Sequence, residues 1–168
     1  YMFIYFGHDI SKIFVLDGGL KKWKIDNKKT TNNLSVNKRT IYEAKEIKSL
    51  VVNKLQIDKN IKLNIFQVVD ARGKKRFEGI KPEPRPDLKS GSIKNSKNLP
   101  FDECINKTDH TFKDKSELMK VFEHVGIRTD KQQVFTCGSG ITACILAMAN
   151  KILNDKNPII YDGSWSEY

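Results

Sequence analysis

The sequence predicts an α/β domain with a mainly parallel central sheet flanked by helices. Short apolar runs typical of buried strands lie at 65–69, 134–136 and 159–161. Segments of helical period separate them, most clearly at 116–124 and 141–153. Strands that alternate with helices favour parallel pairing, because each helix returns the chain to the same end of the sheet.

The composition fits a globular protein and narrows its partners. The 168 residues are 39% hydrophobic and 30% charged, with a formal net charge of +10. The lysines are scattered, and no aromatic-and-basic RNA motif or helix-turn-helix spacing accompanies them, so we expect no nucleic-acid partner. The longest apolar run, 141–149, is far short of the roughly 20 residues that span a bilayer, so we expect no membrane association. The basic surface would instead attract anionic substrates.

The cysteines indicate a reducing compartment. There are three, and none forms a Cys-x-x-Cys pair, so neither a disulfide framework nor a zinc site is predicted. No secretory or transit signal is visible. We therefore expect a cytoplasmic protein without a metal or other cofactor, and leave a mitochondrial location open.

The first 25 residues predict a helix end at Tyr1–Gly7, a buried strand at Ile13–Leu16, and a turn that opens a helix at Leu20–Lys24. The order of strand, Asp-Gly turn and Trp-containing helix recurs at Ile159–Trp165. This internal repeat indicates two tandem copies of one domain, with only the tail of the first copy present at 1–25. We expect the chain to be a fragment of a longer protein.

Residues 26–39 are polar and aperiodic, and are interpreted as an interdomain linker. The second domain, at 40–168, is expected to be truncated at its C-terminus. Its first helix is predicted from the Thr-x-x-Glu capping box that begins at Thr40, and should run to about Val52. The strand at 65–69 then ends at Asp70, where parallel sheets gather functional groups.

The middle of this domain is mostly loop. Three prolines stiffen the loop at 79–91, which carries Arg85. A short strand is predicted at 93–99 and a loop at 102–114. The helix at 116–124 should end at Gly126.

The candidate nucleophile is Cys137. It ends an apolar run, and Gly138-Ser139-Gly140 connects it to a helix that begins near Ile141. Unpaired N–H groups and the dipole at a helix start stabilise a thiolate and lower its pKa. A free cysteine is more commonly a buried apolar residue. The flanking glycines and hydroxyls favour chemistry at Cys137, whereas Cys104, in a polar loop, and Cys144, on an apolar helix face, are interpreted as structural.

These motifs resemble the rhodanese superfamily, in the form carried by 3-mercaptopyruvate sulfurtransferases. The resemblance covers essentially the whole chain, with its segments in the same order. They are Asp17-Gly18-Gly19-Leu20 with Trp23, Val69-Asp70-Ala71-Arg72 through Glu83-Pro84-Arg85-Pro86, Cys137-Gly138-Ser139-Gly140-Ile141-Thr142, and Asp162-Gly163-Ser164-Trp165. It implies tandem rhodanese-like domains, of which 40–168 would be catalytic and the first inactive.

The resemblance also implies the chemistry. Cys137 would take sulfur from 3-mercaptopyruvate as a persulfide and pass it to a thiol such as thioredoxin or a small thiol, or to cyanide, releasing pyruvate. Arg76 and Arg85 would bind the donor, because a guanidinium matches a carboxylate with two charge-assisted bonds. Arg72 is interpreted instead as the structural partner of Asp70.

The loop residues have further expected roles. Ser139 could donate to the thiolate or relay a proton, and could also be the N-cap of the following helix. Gly138, Gly140, Ile141 and Thr142 would line the substrate site, with Thr142 mainly structural. In the family a Ser-His-Asp relay completes the site, and its His and Asp come from the first domain, before Tyr1. None of His8, His110 and His124 is assigned that role.

Two other functions are compatible with the sequence, and a third, that of a cysteine phosphatase, is excluded. Thiosulfate sulfurtransferase would use the same cysteine, although thiosulfate-preferring members tend to carry basic residues in this loop. A non-catalytic sulfur carrier would have an inert Cys137. A cysteine phosphatase requires an arginine six residues after the cysteine, and Ala143 stands there.

Overall fold

The computed structural model describes residues 1–168. Its strands and helices alternate from Val51 onwards. In chain order they are α1 (Met2–Tyr5), α2 (Gly19–Ile25), β1 (Val51–Val52), α3 (Lys54–Leu63), β2 (Gln67–Asp70), α4 (Lys74–Phe77), β3 (Lys97–Asn98), α5 (Lys115–His124), β4 (Gln133–Thr136), α6 (Ala143–Asn154), β5 (Ile160–Tyr161) and α7 (Ser164–Glu167). Short 3₁₀ turns lie at Ile10–Lys12, Lys48–Leu50 and Phe101–Cys104.

The sheet is entirely parallel, which confirms the predicted fold class. Its five strands are ordered β1-β5-β4-β2-β3. In the centre, Asp70 at the end of β2 is in register with Thr136 at the end of β4. The residues that follow these strands, including Cys137, therefore emerge side by side at the carboxyl edge of the sheet.

The core has two parts because successive strand residues point to opposite faces of the sheet. Val69 and Phe135 belong to a cluster of 15 buried residues that also includes residues of α5 and α6. Val68 and Val134 belong to a cluster of six on the other face, together with Ile57 of α3. Helices thus cover both faces, as a parallel sheet requires.

The helix predicted at 40–52 was wrong. Residues 40–47 form no regular element, and Ile41 is 94% exposed. Lys45 and Ile47 donate backbone hydrogen bonds to the carbonyls of Phe6 and Tyr5 instead of to a helix of their own. Val51 and Val52 instead pair with β5. The true first helix of the domain is α3, whose capping box is formed by Asn53 and Gln56.

The buried strand predicted at Ile13–Leu16 was also wrong. Phe14 is 85% exposed and Leu16 is 58% exposed, and no strand of the chain pairs with them. An apolar run forms a strand only where a neighbouring strand completes its hydrogen bonds. The helices on either side, α1 ended by Gly7 and α2, lie where they were predicted.

The N-terminal segment contacts the domain at both of its ends. The hydroxyl of Tyr1 donates to the carbonyl of Leu50 at 2.6 Å. The carboxylate of Asp17 accepts a hydrogen bond from the N–H of Phe112 at 2.8 Å. Residues 26–39 form no regular element and are exposed, and their assignment as an interdomain linker stays a prediction. The assignment of 1–25 to a preceding domain stays a prediction.

The other predicted helices and strands lie within a few residues of their predicted limits, apart from the shorter β3, whereas α4 was not predicted. Helix α5 ends before Gly126, which has a φ of 71°. None of the helices is long and apolar enough to cross a lipid bilayer.

Candidate active site

Cys137 lies at the centre of a cradle formed by β4, the loop 138–142 and the start of α6. Its side chain is buried, and the residue is only 2% exposed. Gly140 has a φ of +83°, and a Cβ there would lie 3.0 Å from Oδ1 and 3.3 Å from the carbonyl oxygen of Asp162. Only glycine fits this close approach without strain. The glycine therefore lets the loop curl around the sulfur.

Opposing effects set the acidity of Cys137. Burial raises the pKa of the thiol, but the Thr142 hydroxyl and the backbone N–H groups of Ser139, Ala143 and Thr142 lower it. The donors win, so the pKa of Cys137 lies below its ordinary value. The start of α6 thus favours the thiolate, which is the nucleophilic form of cysteine.

Residues at the start of α7 form hydrogen bonds with the backbone of this loop. Ser164 Oγ accepts from the N–H of Cys137 at 3.4 Å and donates to the carbonyl of Tyr161 at 3.0 Å. The N–H groups of Trp165 and Ser166 donate to the carbonyls of Cys137 and Gly138, each at 3.0 Å. The Asp-Gly-Ser-Trp motif therefore holds the backbone of Cys137 in place.

A pocket of about 320 Å³ opens above the sulfur. It brings together all but one of the site residues expected from the sequence. Its walls are Arg76, Glu83, Pro84, Arg85, Leu88, Cys137, Gly138, Ser139, Ile141 and Thr142. The exception is Gly140, whose contribution is the backbone turn itself.

The two expected anchors differ in their surroundings. Arg76, on α4, is ion-paired with the carboxylate of Glu83, and its side chain is 27% exposed. A Cβ at Gly138 would lie 3.0 Å from Arg76 Nη2, so the guanidinium borders the loop 138–142. Arg85 is exposed and makes no ion pair. The pocket thus offers an anion one unpaired guanidinium and one that a carboxylate already holds.

The model of the rhodanese-like domain matches residues 51–168. The chain belongs to the rhodanese family. Across its full length it is 38% identical to thiosulfate/3-mercaptopyruvate sulfurtransferase 2 of Arabidopsis thaliana, of which it covers 54%. It is 33% identical, again over its full length, to 3-mercaptopyruvate sulfurtransferase of Mus musculus, of which it covers 56%. The chain therefore spans about half the length of the curated relatives it matches.

A solved rhodanese structure agrees with this assignment. SseA from Escherichia coli, described as a 3-mercaptopyruvate sulfotransferase with the rhodanese fold, superimposes with a TM-score of 0.83 at 29% identity. The match covers 99% of this chain and 60% of SseA.

Behind the pocket of this rhodanese, Arg72 forms the expected pair with Asp70. Its Nε and Nη2 donate to the Asp70 carboxylate at 2.6 to 3.1 Å, and its Nη1 donates to Glu83 at 2.7 Å. Its guanidinium also lies 4.6 Å from the ring centre of Trp165. Glu83 and Trp165 were not singled out by the sequence reasoning, although both stand in motifs that it quoted.

Two expectations for the loop need correction. Ser139 is not the N-cap of α6, because that helix begins at Ala143 with Thr142 as its N-cap residue. The hydroxyl that lowers the pKa of Cys137 belongs to Thr142, whereas Ser139 contributes its backbone N–H. Thr142 was expected to be mainly structural. Ser139 and Ile141 are exposed at the rim of the pocket.

The remaining cysteines and histidines lie outside the pocket. Cys104 is fully buried in the core rather than in a polar loop, and burial raises its pKa to about 12. Cys144 is half-buried, and its Sγ donates to the carbonyl of Gly140 at 3.4 Å. No histidine lines the pocket. Cys137 is therefore the one cysteine whose surroundings favour a thiolate.

Proposed function

We propose that this rhodanese transfers sulfur from 3-mercaptopyruvate to a thiol or cyanide through a persulfide on Cys137, with release of pyruvate. The observation that carries the proposal is one pocket in which a cysteine of lowered pKa lies beside two arginines. A thiolate and carboxylate-binding groups are what a mercapto acid requires.

In the first step, the Cys137 thiolate attacks the sulfur of the donor. A sulfur–sulfur bond forms as the carbon–sulfur bond of the donor breaks, and the bonding pair stays on carbon as the enolate of pyruvate. The enolate takes up a proton from solvent, and the donor's thiol proton stays on the persulfide. Arg85 and the unengaged Nη1 of Arg76 would hold the carboxylate and ketone, and Ser139 could carry a proton near the sulfur.

In the second step, an acceptor thiolate attacks the outer sulfur of the persulfide. The bond to Cys137 breaks, and its electron pair regenerates the Cys137 thiolate. Exposed residues at the rim, Ser139 and Ile141, leave the pocket open to solvent. A small thiol or a protein thiol such as thioredoxin is therefore our proposed acceptor.

Thiosulfate is the second candidate donor, because the Arabidopsis relative is named for both donors. It would leave its outer sulfur on Cys137 and depart as sulfite. The loop 138–142 contains no basic side chain, which favours the singly charged mercapto acid over this dianion. A sulfur carrier without turnover is the non-enzymatic alternative.

The free cysteines support a reducing compartment, and we propose the cytoplasm. A relative from Arabidopsis thaliana is named as mitochondrial, which makes the mitochondrion the second candidate.

The test is intact mass spectrometry after incubation with each donor and no acceptor. We expect 3-mercaptopyruvate to add about one sulfur atom, and a thiol to remove it again. The addition should be lost in Cys137→Ser and kept in Cys144→Ser, which is the matched control. Addition from thiosulfate alone would replace the donor, and no addition from either donor would contradict the proposed activity for this chain.

A further inference from the structure

Glu83, in the wall of the pocket, lies between Arg72 and Arg76. Its side chain is only 1% exposed. Oε1 accepts from Arg72 Nη1 at 2.7 Å and from Arg76 Nε at 3.3 Å, and Oε2 accepts from Arg76 Nε at 3.2 Å and from Arg76 Nη2. One carboxylate therefore holds both guanidinium groups.

The charges of this cluster can be assigned in pairs. Arg72 is already satisfied by Asp70, with which it makes an ion pair at 2.6 Å. Glu83 is then left to balance Arg76. Burial raises the pKa of Glu83, but the hydrogen bonds and charges of Arg76 and Arg72 lower it overall, so the carboxylate is ionised near neutral pH. Only Arg85 remains as an uncompensated positive charge on the pocket wall.

Glu83 also determines which part of Arg76 can reach a ligand. Nε and Nη2 both donate to Glu83, whereas Nη1 makes no hydrogen bond within the protein. A bound anion would therefore meet one end of the Arg76 fork together with Arg85. This arrangement suits a single carboxylate.

We infer that Glu83 is a specificity-determining positioning residue, which orients Arg76 and cancels its charge so that the pocket selects a monoanionic ligand over a dianionic one. The inference rests on the proposed function, because it names the charge class of the sulfur donor. A second negative charge on a ligand would gain attraction from Arg85 alone and would be repelled by Glu83.

The decisive experiment measures the charge felt at Cys137 without any sulfur transfer. Iodoacetate is an anion and iodoacetamide is neutral, and both alkylate a thiolate with loss of iodide. Peptide mass spectrometry follows alkylation at Cys137 by each reagent. The rate constant for iodoacetate divided by that for iodoacetamide therefore reports the local electrostatic potential. Replacing Glu83 with glutamine removes one negative charge and should raise this ratio on the order of threefold to tenfold.

Two further variants separate charge from position. Glu83→Asp keeps the charge on a shorter side chain, and its ratio should stay near that of the wild type. Glu78→Gln is the matched control, since Glu78 is an exposed carboxylate that pairs with Lys74 at 3.8 Å outside the pocket. An unchanged ratio in Glu83→Gln, or an equal rise in Glu78→Gln, would overturn the inference.

Selectivity between charge classes is measured by protection. Pyruvate, a monoanion, and sulfate, a dianion, are compared as protectants of Cys137 against iodoacetamide. In the wild type, pyruvate should protect Cys137 at a lower concentration than sulfate does. In Glu83→Gln, the protecting concentration of sulfate should fall severalfold relative to that of pyruvate. Equal shifts for both anions would contradict a role in selectivity.

If Glu83→Gln does not fold, the double variant Arg76→Gln/Glu83→Gln takes its place. It removes both members of the pair, so the alkylation ratio should equal that of the wild type, whereas Arg76→Gln alone should lower it. An alkylation ratio in the double variant as low as that of Arg76→Gln would refute the cancellation of charge.

Because alkylation requires no donor, failure of this inference is distinguishable from failure of sulfur transfer, which the persulfide assay detects separately.

Discussion

Thr142 is the side chain that lowers the pKa of Cys137 most directly, ahead of the backbone N–H groups. Thr142→Val keeps its shape and removes the hydroxyl. The pKa of Cys137 should rise, so the thiolate should form only at higher pH, and alkylation by iodoacetamide at neutral pH should slow by roughly tenfold, as expected for loss of a hydrogen bond to a charged group. The pH profile of alkylation measures this shift.

Ser139→Ala is the control for that variant, because Ser139 contributes its backbone N–H, which alanine retains. Its alkylation profile should match that of the wild type. A shift as large as that of Thr142→Val would mean that the Ser139 hydroxyl, and not Thr142, stabilises the thiolate.

Gly140 is the residue at which the loop has least tolerance. Gly140→Ala would place a Cβ 3.0 Å from Asp162 Oδ1 at a φ of +83°, and should destabilise the protein by about 1–3 kcal/mol. Gly73→Ala is the matched control, since its φ is −58° and a Cβ there meets nothing within 4 Å. Urea denaturation compares the two, and equal stabilities would contradict the predicted strain.

At this scale, what the sequence reveals depends on distance along the chain. The cradle of Cys137 is local, so the glycines and the helix start could be predicted. The pair formed by Arg72 and Asp70 is two residues apart and was also predicted. Glu83 joins Arg72 from 11 positions away, and Trp165 stacks on Arg72 from 93 away, which no local pattern reveals.

Among the elements, α3 depends most clearly on a local signal. Asn53 accepts from the N–H of Gln56 at 3.0 Å, and the Gln56 side chain accepts from the N–H of Asn53 at 2.8 Å. Asn53→Ala should lower the free energy of unfolding by about 1 kcal/mol. Asn37→Ala, in the exposed segment before the domain, should leave it unchanged, and a loss of equal size there would contradict the capping argument.

The wrong prediction of a helix at 40–52 also arose from a capping-box pattern. Thr40 and Glu43 have the spacing of a capping box, and so do Asn53 and Gln56. Ile57 directly follows the second pair and is fully buried, whereas Ala44 directly follows the first pair and is exposed. A cap is satisfied only when the helix that follows can bury an apolar face, and this depends on tertiary packing.

For the whole molecule, the Glu83 cluster predicts a pH dependence of stability. The pKa of Glu83 is lowered below its ordinary 4.5 in the folded state. The stabilisation is therefore fully present above the unfolded value and is lost as the pH falls through the lowered folded value. Thermal unfolding of Glu83→Gln should depend less steeply on pH in this acid range than that of the wild type, and parallel curves would contradict the assignment.

The fold class was predictable for the whole molecule because alternation of strands and helices survives errors at single elements. The conformation of Ile13–Leu16 was not predictable, because a strand forms only beside a neighbouring strand and no strand of this chain lies beside this segment. Pairing depends on which segments meet in space, and an apolar run alone does not specify this.

The position of Trp165 makes the pocket optically observable. Its indole stacks on Arg72 at 4.6 Å, and its Nε1 donates to the carbonyl of Lys89 at 2.8 Å. The chain has only two tryptophans, and the other, Trp23, lies in the N-terminal segment. In a Trp23→Phe variant all indole fluorescence would come from beside the site. Emission intensity could then follow ligand binding and the proposed loading of sulfur onto Cys137 in real time, without a label.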